Sequence, residues 1–246
     1  MSFTDKVVIV TGASSGIGAT TAVLFCKEGA SVALVGRNEA NLKTVSEQCT
    51  KVGGKNVIIK ADVSKDDDTK RIIKETIKKF GKLDVLVNNA GVVAYGNILA
   101  GTLLESYDKI LPINLRAVVH LTMLASPHLI KTKGNIINIS SVAGQMISNP
   151  MVMAYCTSKA GLDHFTRGCA LELASSGVRV NAISPGPVET DISMANALPG
   201  LVPPLGRVSQ AEEVADLVQF LASDKAKAVT GSIYVADNGI QIRGAI

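Results

Sequence analysis

Seven short β-branched runs set the frame of this chain: KVVIVT, SVALVG, NVIIKA, LDVLVN, GNIINIS, VRVNAI and GSIYVA. Each is nearly continuous in apolar character instead of alternating. A strand buried on both faces reads this way, which is the pattern of a parallel sheet covered by helices on each side. Segments with the helical period separate the runs, at roughly 16–29, 38–52, 66–80, 103–130, 151–175 and 210–223. Strand and helix therefore alternate along the whole chain, which predicts an α/β fold with a doubly wound parallel sheet. No break in composition marks a second domain, so residues 1–246 are expected to form one. Hydrophobic residues make up 47% of the chain and Trp is absent, so the core must be large and mostly aliphatic. The least regular stretch, PGPVETDISMANALPGLVPPLGRVS at 185–209, is the natural candidate for a lid.

The first run leads into ASSGIGATTAVLFCKEG, which places Gly12, Gly16 and Gly18 between a strand and a helix. Glycines at such a turn let the backbone approach a ligand closely. The helix start behind them offers unpaired N–H groups and the positive end of a dipole, which suits a pyrophosphate. A dinucleotide is the ligand this context favours. The spacing is Gly-x3-Gly-x-Gly, not the Gly-x-Gly-x2-Gly of the usual dinucleotide-binding turn.

A second pattern is YCTSK, with Tyr155 four residues before Lys159. On a helix the two side chains share a face. A cation near a phenol favours the phenolate and lowers its pKa, which makes the tyrosine an acid/base usable near neutral pH.

In order along the chain stand TGASSGIG (11–18), NNAG (88–91), Asn114, Ser141 in NISSVAG, Tyr155 with Lys159 in YCTSK, and NAISPGPVET (181–190). Together they resemble the short-chain dehydrogenase/reductase family over essentially the whole chain. The resemblance implies a one-domain Rossmann fold that binds NAD(H) or NADP(H), and an NAD(P)-dependent oxidoreductase acting on CH–OH donors. It makes Tyr155 the general acid in ketone reduction and the base in alcohol oxidation. It makes Lys159 the group that lowers the phenol pKa and holds the nicotinamide ribose. Ser141 then polarises the substrate carbonyl, and Asn114 holds a water that links Lys159 to solvent. The same resemblance assigns the cofactor to the first turn (Gly12, Ser14, Ser15, Gly16, Ile17 and Gly18) and to Asp62 and Val63 at the adenine. It adds Asn88, Ala90 and Gly91 beside the adenosine, and Pro185, Gly186, Val188 and Thr190 near the nicotinamide. Two features depart from the pattern. Tyr155 follows Ser141 by fourteen residues, one more than is common, and VADNG stands near the C-terminus where the family shows Asp-Gly-Gly.

The second run ends with Gly36 and is followed by Arg37. An acidic residue at its end would accept from the ribose 2′-OH of NAD; a guanidinium there suits a 2′-phosphate. NADP(H) is therefore the expected cofactor, with NAD(H) as the alternative. Candidate pocket residues are Val93, Tyr95, Ser141, Ala143, Met151, Tyr155 and Met194, with Val92, Met146 and Met153 nearby. Flexible methionines and no waiting arginine suit a hydrophobic ketone or secondary alcohol such as a steroid, retinoid or other lipophilic carbonyl. A 3-oxoacyl-thioester reductase is the rival reading. A nicotinamide-binding regulator without turnover is the alternative from another class, against which the full Asn–Ser–Tyr–Lys set speaks. A sugar-nucleotide epimerase would need a longer C-terminal part.

Charge is mild, with 25 basic against 21 acidic residues, and the lysines are interleaved with acids, so no nucleic-acid partner is expected. Cys26, Cys49, Cys156 and Cys169 form no CxxC pair and no metal-ligand cluster. With no long apolar stretch near the start and AVVHLTMLASPHLI too short and polar to span a bilayer, a cytoplasmic protein without a membrane span is expected. The family resemblance implies a homotetramer, or failing that a dimer, paired through the long segments 103–130 and 151–175.

Overall fold

The computed structural model describes residues 2–190 and 202–245. All seven runs form strands: β1 (Val7–Thr11), β2 (Ser31–Gly36), β3 (Lys55–Lys60), β4 (Val85–Asn88), β5 (Asn135–Ile139), β6 (Arg179–Pro185) and β7 (Ile233–Ala236). They pair in parallel in the order β3-β2-β1-β4-β5-β6-β7. Between them stand α1 (Gly16–Lys27), α2 (Glu39–Lys51), α3 (Asp66–Phe80), α4 (Leu103–Leu111), α5 (Ala117–Thr132), α6 (Met153–Leu173) and α7 (Ala211–Ala222).

Continuous apolar strands are what two covered faces require. Alternate residues of β1 and β2 serve opposite layers. Val8, Val10, Val32 and Leu34 pack with Phe25 of α1, Leu42 of α2 and Val214, Val218 and Leu221 of α7. Val7, Ile9, Ala33 and Val35 pack with Ile72 of α3, Leu121, Ala125 and Leu129 of α5, and Leu173 of α6. This is the doubly wound Rossmann arrangement, and it makes one domain.

The expected helical segment over 103–130 is one continuous helical run, Leu103–Thr132, with an irregular turn inside it. Between α4 and α5 the backbone widens into a π-helical turn, Pro112–Arg116. Pro112 lacks the N–H that an α-helical ladder needs, and a turn with one extra residue absorbs the gap. The helical run Leu103–Thr132 is long and apolar enough by length and composition to cross a membrane, with mean hydropathy 1.2. Its buried stripe, Ile110, Leu121, Ala125 and Leu129, nevertheless packs inside the domain as a core helix does.

The departure at VADNG has a local explanation. Asn238 takes a left-handed conformation, φ 55°, beside Gly239 at φ 86°. Asn tolerates that region better than other non-glycine residues, and its side-chain amide donates to Ser209 Oγ at 2.9 Å. The centre of the 185–209 segment lies outside the described residues. Its two ends are joined by a parallel bridge between Val188 and Ser209.

Candidate active site

A cavity of about 360 Å³ opens along the carboxyl ends of the strands, across the point where the order reverses between β1 and β4. The glycine turn forms its floor. Gly12 and Gly16 have φ of 66° and 52°, the region that favours glycine. Ser15 caps α1 without a side-chain bond, which leaves the first-turn N–H groups free of a capping side chain. Gly18 is buried and does not line the cavity; it lets α1 approach the turn. A Cβ there would stand 2.3 Å from Gly12 O and 2.4 Å from Asn89 Nδ2.

The assigned cofactor residues converge. Gly12, Ser14, Ser15, Gly16 and Ile17 line the cavity with Arg37, Asp62, Val63, Ala90 and Gly91. Pro185, Gly186, Val188 and Thr190 close the far side. Asn88 does not line it. It is buried below and donates to Asn138 Oδ1 at 2.9 Å, tying β4 to β5. Its neighbour Asn89, which sequence reasoning passed over, lines the cavity in its place. The Asn89 amide donates to Thr11 O at 2.9 Å and to Gly12 O at 3.3 Å. Thr11 Oγ1 accepts from the N–H groups of Asn89 and Ala90, both at 3.0 Å. Ile139 and Ser140 also line the cavity unforeseen. Hydrophobic patterning marks both as strand-end residues and gives no sign that they face a ligand.

At the end of the cavity beside β2, Arg37 is exposed and no carboxylate accompanies it on that strand. Burial alone would raise the Asp62 carboxyl, but two hydrogen bonds from Ser64, with Arg37 and Lys65 nearby, hold it below its ordinary value.

At the other end lie Ser141, Tyr155 and Lys159, all buried. Ser141 Oγ accepts from Ala143 N–H at 3.2 Å and hydrogen bonds with the Tyr155 phenol. Lys159 Nζ donates to Ile139 O at 2.8 Å and lies 5.6 Å from the Tyr155 ring centroid. Asn114 sits in the π turn, also buried. Its amide accepts from Val92 N–H at 2.8 Å, donates to Val92 O at 2.9 Å, and donates to Ser158 Oγ at 3.3 Å. It does not line the cavity, but it meets Lys159 across Gly91: a Cβ at Gly91 would lie 3.5 Å from Asn114 Oδ1 and 3.8 Å from Lys159 Nζ.

The electrostatics of this pair differ from the expectation that Lys159 lowers the phenol pKa. Burial pushes Tyr155 up to about 12, and the hydrogen bond with Ser141 only partly offsets it. Burial likewise pushes Lys159 down to about 8, with Asp163 pulling the other way. The ammonium is turned to the Ile139 carbonyl, so desolvation dominates both groups.

Of the expected pocket residues, Ser141 and Tyr155 line the cavity. Ala143 and Val93 pack in the adjoining apolar cluster. Tyr95 is 54% exposed. Met151 is half-buried and its sulfur meets Asn97 Nδ2 at 2.8 Å. Met194 lies outside the described residues.

The model of the Enoyl-(Acyl carrier protein) reductase family matches residues 12–241. A 3-oxoacyl-(acyl-carrier-protein) reductase of Thermotoga maritima is 37% identical over 250 residues, 98% of this chain and 100% of that protein. Glucose 1-dehydrogenase of Gluconobacter oxydans is 38% identical over 257 residues, 98% of this chain and 94% of the relative. A solved short chain dehydrogenase from Burkholderia cenocepacia J2315, in complex with NADP, matches with TM-score 0.92 at 29% identity, covering 98% of this chain and 100% of that one. With a Rossmann sheet and this degree of likeness, the chain belongs to the short-chain dehydrogenase/reductase family. It is an NAD(P)-dependent oxidoreductase acting on alcohol or ketone substrates.

A buried ammonium carries a stability cost. For Lys159 that cost is complete below pH about 8 and is relieved as pH rises towards the ordinary value of 10.5, because the unfolded chain binds the extra proton there. Lys159→Met should therefore stabilise the cofactor-free protein at pH 7 by about 2 kcal/mol, after allowing for the lost bond to Ile139. The gain over wild type should shrink between pH 8 and 10.5. Urea unfolding of both proteins across that range tests this; a destabilised variant at pH 7 would refute it.

Proposed function

We propose that this protein is an NADP(H)-preferring reductase of hydrophobic ketones, reversible towards secondary alcohols, with Tyr155, Ser141, Lys159 and Asn114 as its working groups. The observation that carries the reading is the hydrogen-bonded Ser141–Tyr155 pair with Lys159 behind it, in the same cavity as the glycine turn. That cavity fits a dinucleotide: the first turn of α1 lacks a side-chain cap, and the glycines leave room that side chains would fill.

Hydride is the chemistry that a bound nicotinamide supplies. The chain's own groups handle the oxygen. Ala143 N–H fixes the orientation of Ser141 Oγ, and the Ser141 hydroxyl, which donates to the Tyr155 oxygen in the cofactor-free protein, turns to the substrate oxygen and stabilises its developing charge. Tyr155 gives its phenolic proton to that oxygen. A phenol held near pKa 12 is fully protonated at neutral pH, which suits the reductive direction. The Lys159 ammonium then stabilises the phenolate left behind. Asn114, fixed on both sides of Val92, holds the segment beside Lys159 through which the proton is replaced. The Val188–Ser209 bridge forms the base of a substrate lid spanning 185–209.

The flank of Tyr155 is apolar. Ala94, Ala143, Val152 and Ala154 surround it, with Val92 and Val93 packed against them. A lipophilic carbonyl of steroid, retinoid or similar type fits this flank. A 3-oxoacyl thioester is the second reading, favoured by the names of several relatives. The cysteines are all buried and free, in keeping with a cytoplasmic setting. A panel of lipophilic ketones and 3-oxoacyl thioesters, followed at the nicotinamide absorbance, decides between them; no turnover on either class would sink both.

Tyr155→Phe should lower kcat about 10²–10⁴-fold while leaving dinucleotide affinity nearly unchanged, because only the transferable proton is lost. Near-normal turnover with a good substrate would remove Tyr155 from its role.

NADPH should be preferred over NADH, and the preference should shrink in high salt because Arg37 is exposed. Gly36→Asp with Arg37→Ala should reverse it by adding repulsion and deleting attraction. Position 36 has the space: a Cβ there meets Leu42 Cδ2 at 3.4 Å and Ser14 Cβ at 3.5 Å, ordinary contacts. The measurement is kcat/KM with each cofactor on one substrate, and a wild-type preference for NADH would refute the assignment.

A homotetramer is the proposed assembly. Leu104, Tyr107, Val119, Met123 and Ile130 on α4 and α5, and Leu171 on α6, leave a broad apolar surface exposed. Light scattering should give a tetramer of 25.6-kDa chains, and Met123→Glu with Leu171→Glu should lower that mass. A stable wild-type monomer at working concentration would refute it.

A further inference from the structure

One titratable group beside the cavity has no part in the chemistry so far. Asp163 lies on α6 one turn beyond Lys159 and is 4% exposed. Its Oδ1 atom is buried without a hydrogen-bond partner. An unpartnered buried carboxylate oxygen is rare and costly. Packing does not demand it, since an apolar residue would fill this helix position without that cost.

Its surroundings point to the catalytic corner. The side chains of Ser140 and Gln145 lie against the carboxyl group. These two residues bracket Ser141 and the 3-10 turn Val142–Gly144. Ser140 Oγ donates to Lys159 O at 3.3 Å. Gly144 has no room for a side chain, because a Cβ would stand 2.9 Å from the Lys159 carbonyl carbon and 3.0 Å from Ala160 N. The corner that carries Ser141 is thus seated on the α6 backbone at Lys159, and Asp163 stands at that seat. The ammonium itself is bonded to the neutral Ile139 carbonyl, and among the described residues no carboxylate reaches it at ion-pair distance.

We propose that Asp163 is a positioning residue for the reaction: its carboxylate is the through-space counter-charge that keeps Lys159 protonated, and it seats the corner that carries Ser141. The inference rests on Lys159 and Ser141 being working groups as proposed above. Burial opposes the charge on Lys159, and Asp163 is the group that pulls the other way. Burial raises the Asp163 carboxyl, against which act Ser140, Gln145, Arg167 and Lys159. The charged groups facing Asp163 are therefore Lys159 and Arg167, both on α6. On the side of the turn after β5, among the described residues, the neutral Ser140 and Gln145 lie against it, the latter held by Gln241 at 3.1 Å.

Removing the carboxylate disfavours the ammonium further, so Lys159 should lose its proton at lower pH. The test is an NMR titration of cofactor-free protein labelled with 13Cε-lysine, the Lys159 signal being assigned by its loss in Lys159→Met. Wild type should titrate at about 8. Asp163→Asn should titrate about one pH unit lower, and Asp163→Glu, which keeps the charge, should stay close to wild type. The alkaline limb of kcat/KM should move with the titration, which a merely structural role would not cause. The titration needs no turnover, so its failure leaves the proposed function standing, and a wild-type protein inactive on every carbonyl leaves the titration result standing. A Lys159 midpoint unchanged in folded Asp163→Asn, or in Asp163→Ser if the Asn variant does not fold, overturns the proposal.

Discussion

Parallel pairing is the constraint from which the rest of this molecule follows. Because all seven strands run the same way, their carboxyl ends leave the sheet along one edge. Strands β1 to β5 then deliver residues that follow them to the same cavity: Gly12 and Ser14 to Ile17 after β1, Arg37 after β2, Asp62 and Val63 after β3, Ala90 and Gly91 after β4, Ser141 after β5. The order reverses between β1 and β4, and a ligand crevice forms outside the sheet at such a point. Thr11 and Asn89 stitch the two strands together there, so the glycine turn and the NNAG segment are tied to each other.

Within that crevice a single cause, removal from water, drives two groups in opposite directions. The phenol becomes a weaker acid and the ammonium a stronger one. Both shifts favour the neutral forms, so the cofactor-free site holds its reactive pair in a high-energy setting for charge. The proposed creation of a phenolate beside an ammonium benefits from that setting only if the two charges appear together. The fold accepts the cost because α6 is anchored at both faces of the site, by Ser140 on the Lys159 carbonyl and by Ile139 on the Lys159 amine.

The strands were legible because burial on both faces leaves one reading for a run such as VVIVT. Tyr155 and Lys159 were legible because a spacing of four puts them on one helix face, and α6 carries both. Other features had no sequence signal. In the pair Asn88–Asn89 only local backbone geometry decides which amide faces the cavity and which turns into the sheet. The partner of the Lys159 amine is a backbone carbonyl, which no side-chain pattern announces. Asp163, four residues after a lysine, reads as half of a solvated helix pair, yet it is buried. The irregular turn at Pro112–Arg116 was not read from the sequence, because whether a proline bends, ends or widens a helix depends on what its neighbours pack against.

The widened turn at Pro112–Arg116 has a geometric consequence. A helix advances by about 100° per residue, so the extra residue sets the angular phase of α5 relative to α4. One face of that phase aims Asn114 at Val92, and the other aligns Leu104 and Tyr107 of α4 with Val119 and Met123 of α5 on the outer surface. Deleting a single residue there would turn Asn114 away from Val92 and break the outer stripe in the same stroke. The buried Asn114–Val92 contact and the exposed apolar side chains of α4 and α5 are therefore clocked by one turn of backbone and cannot drift independently.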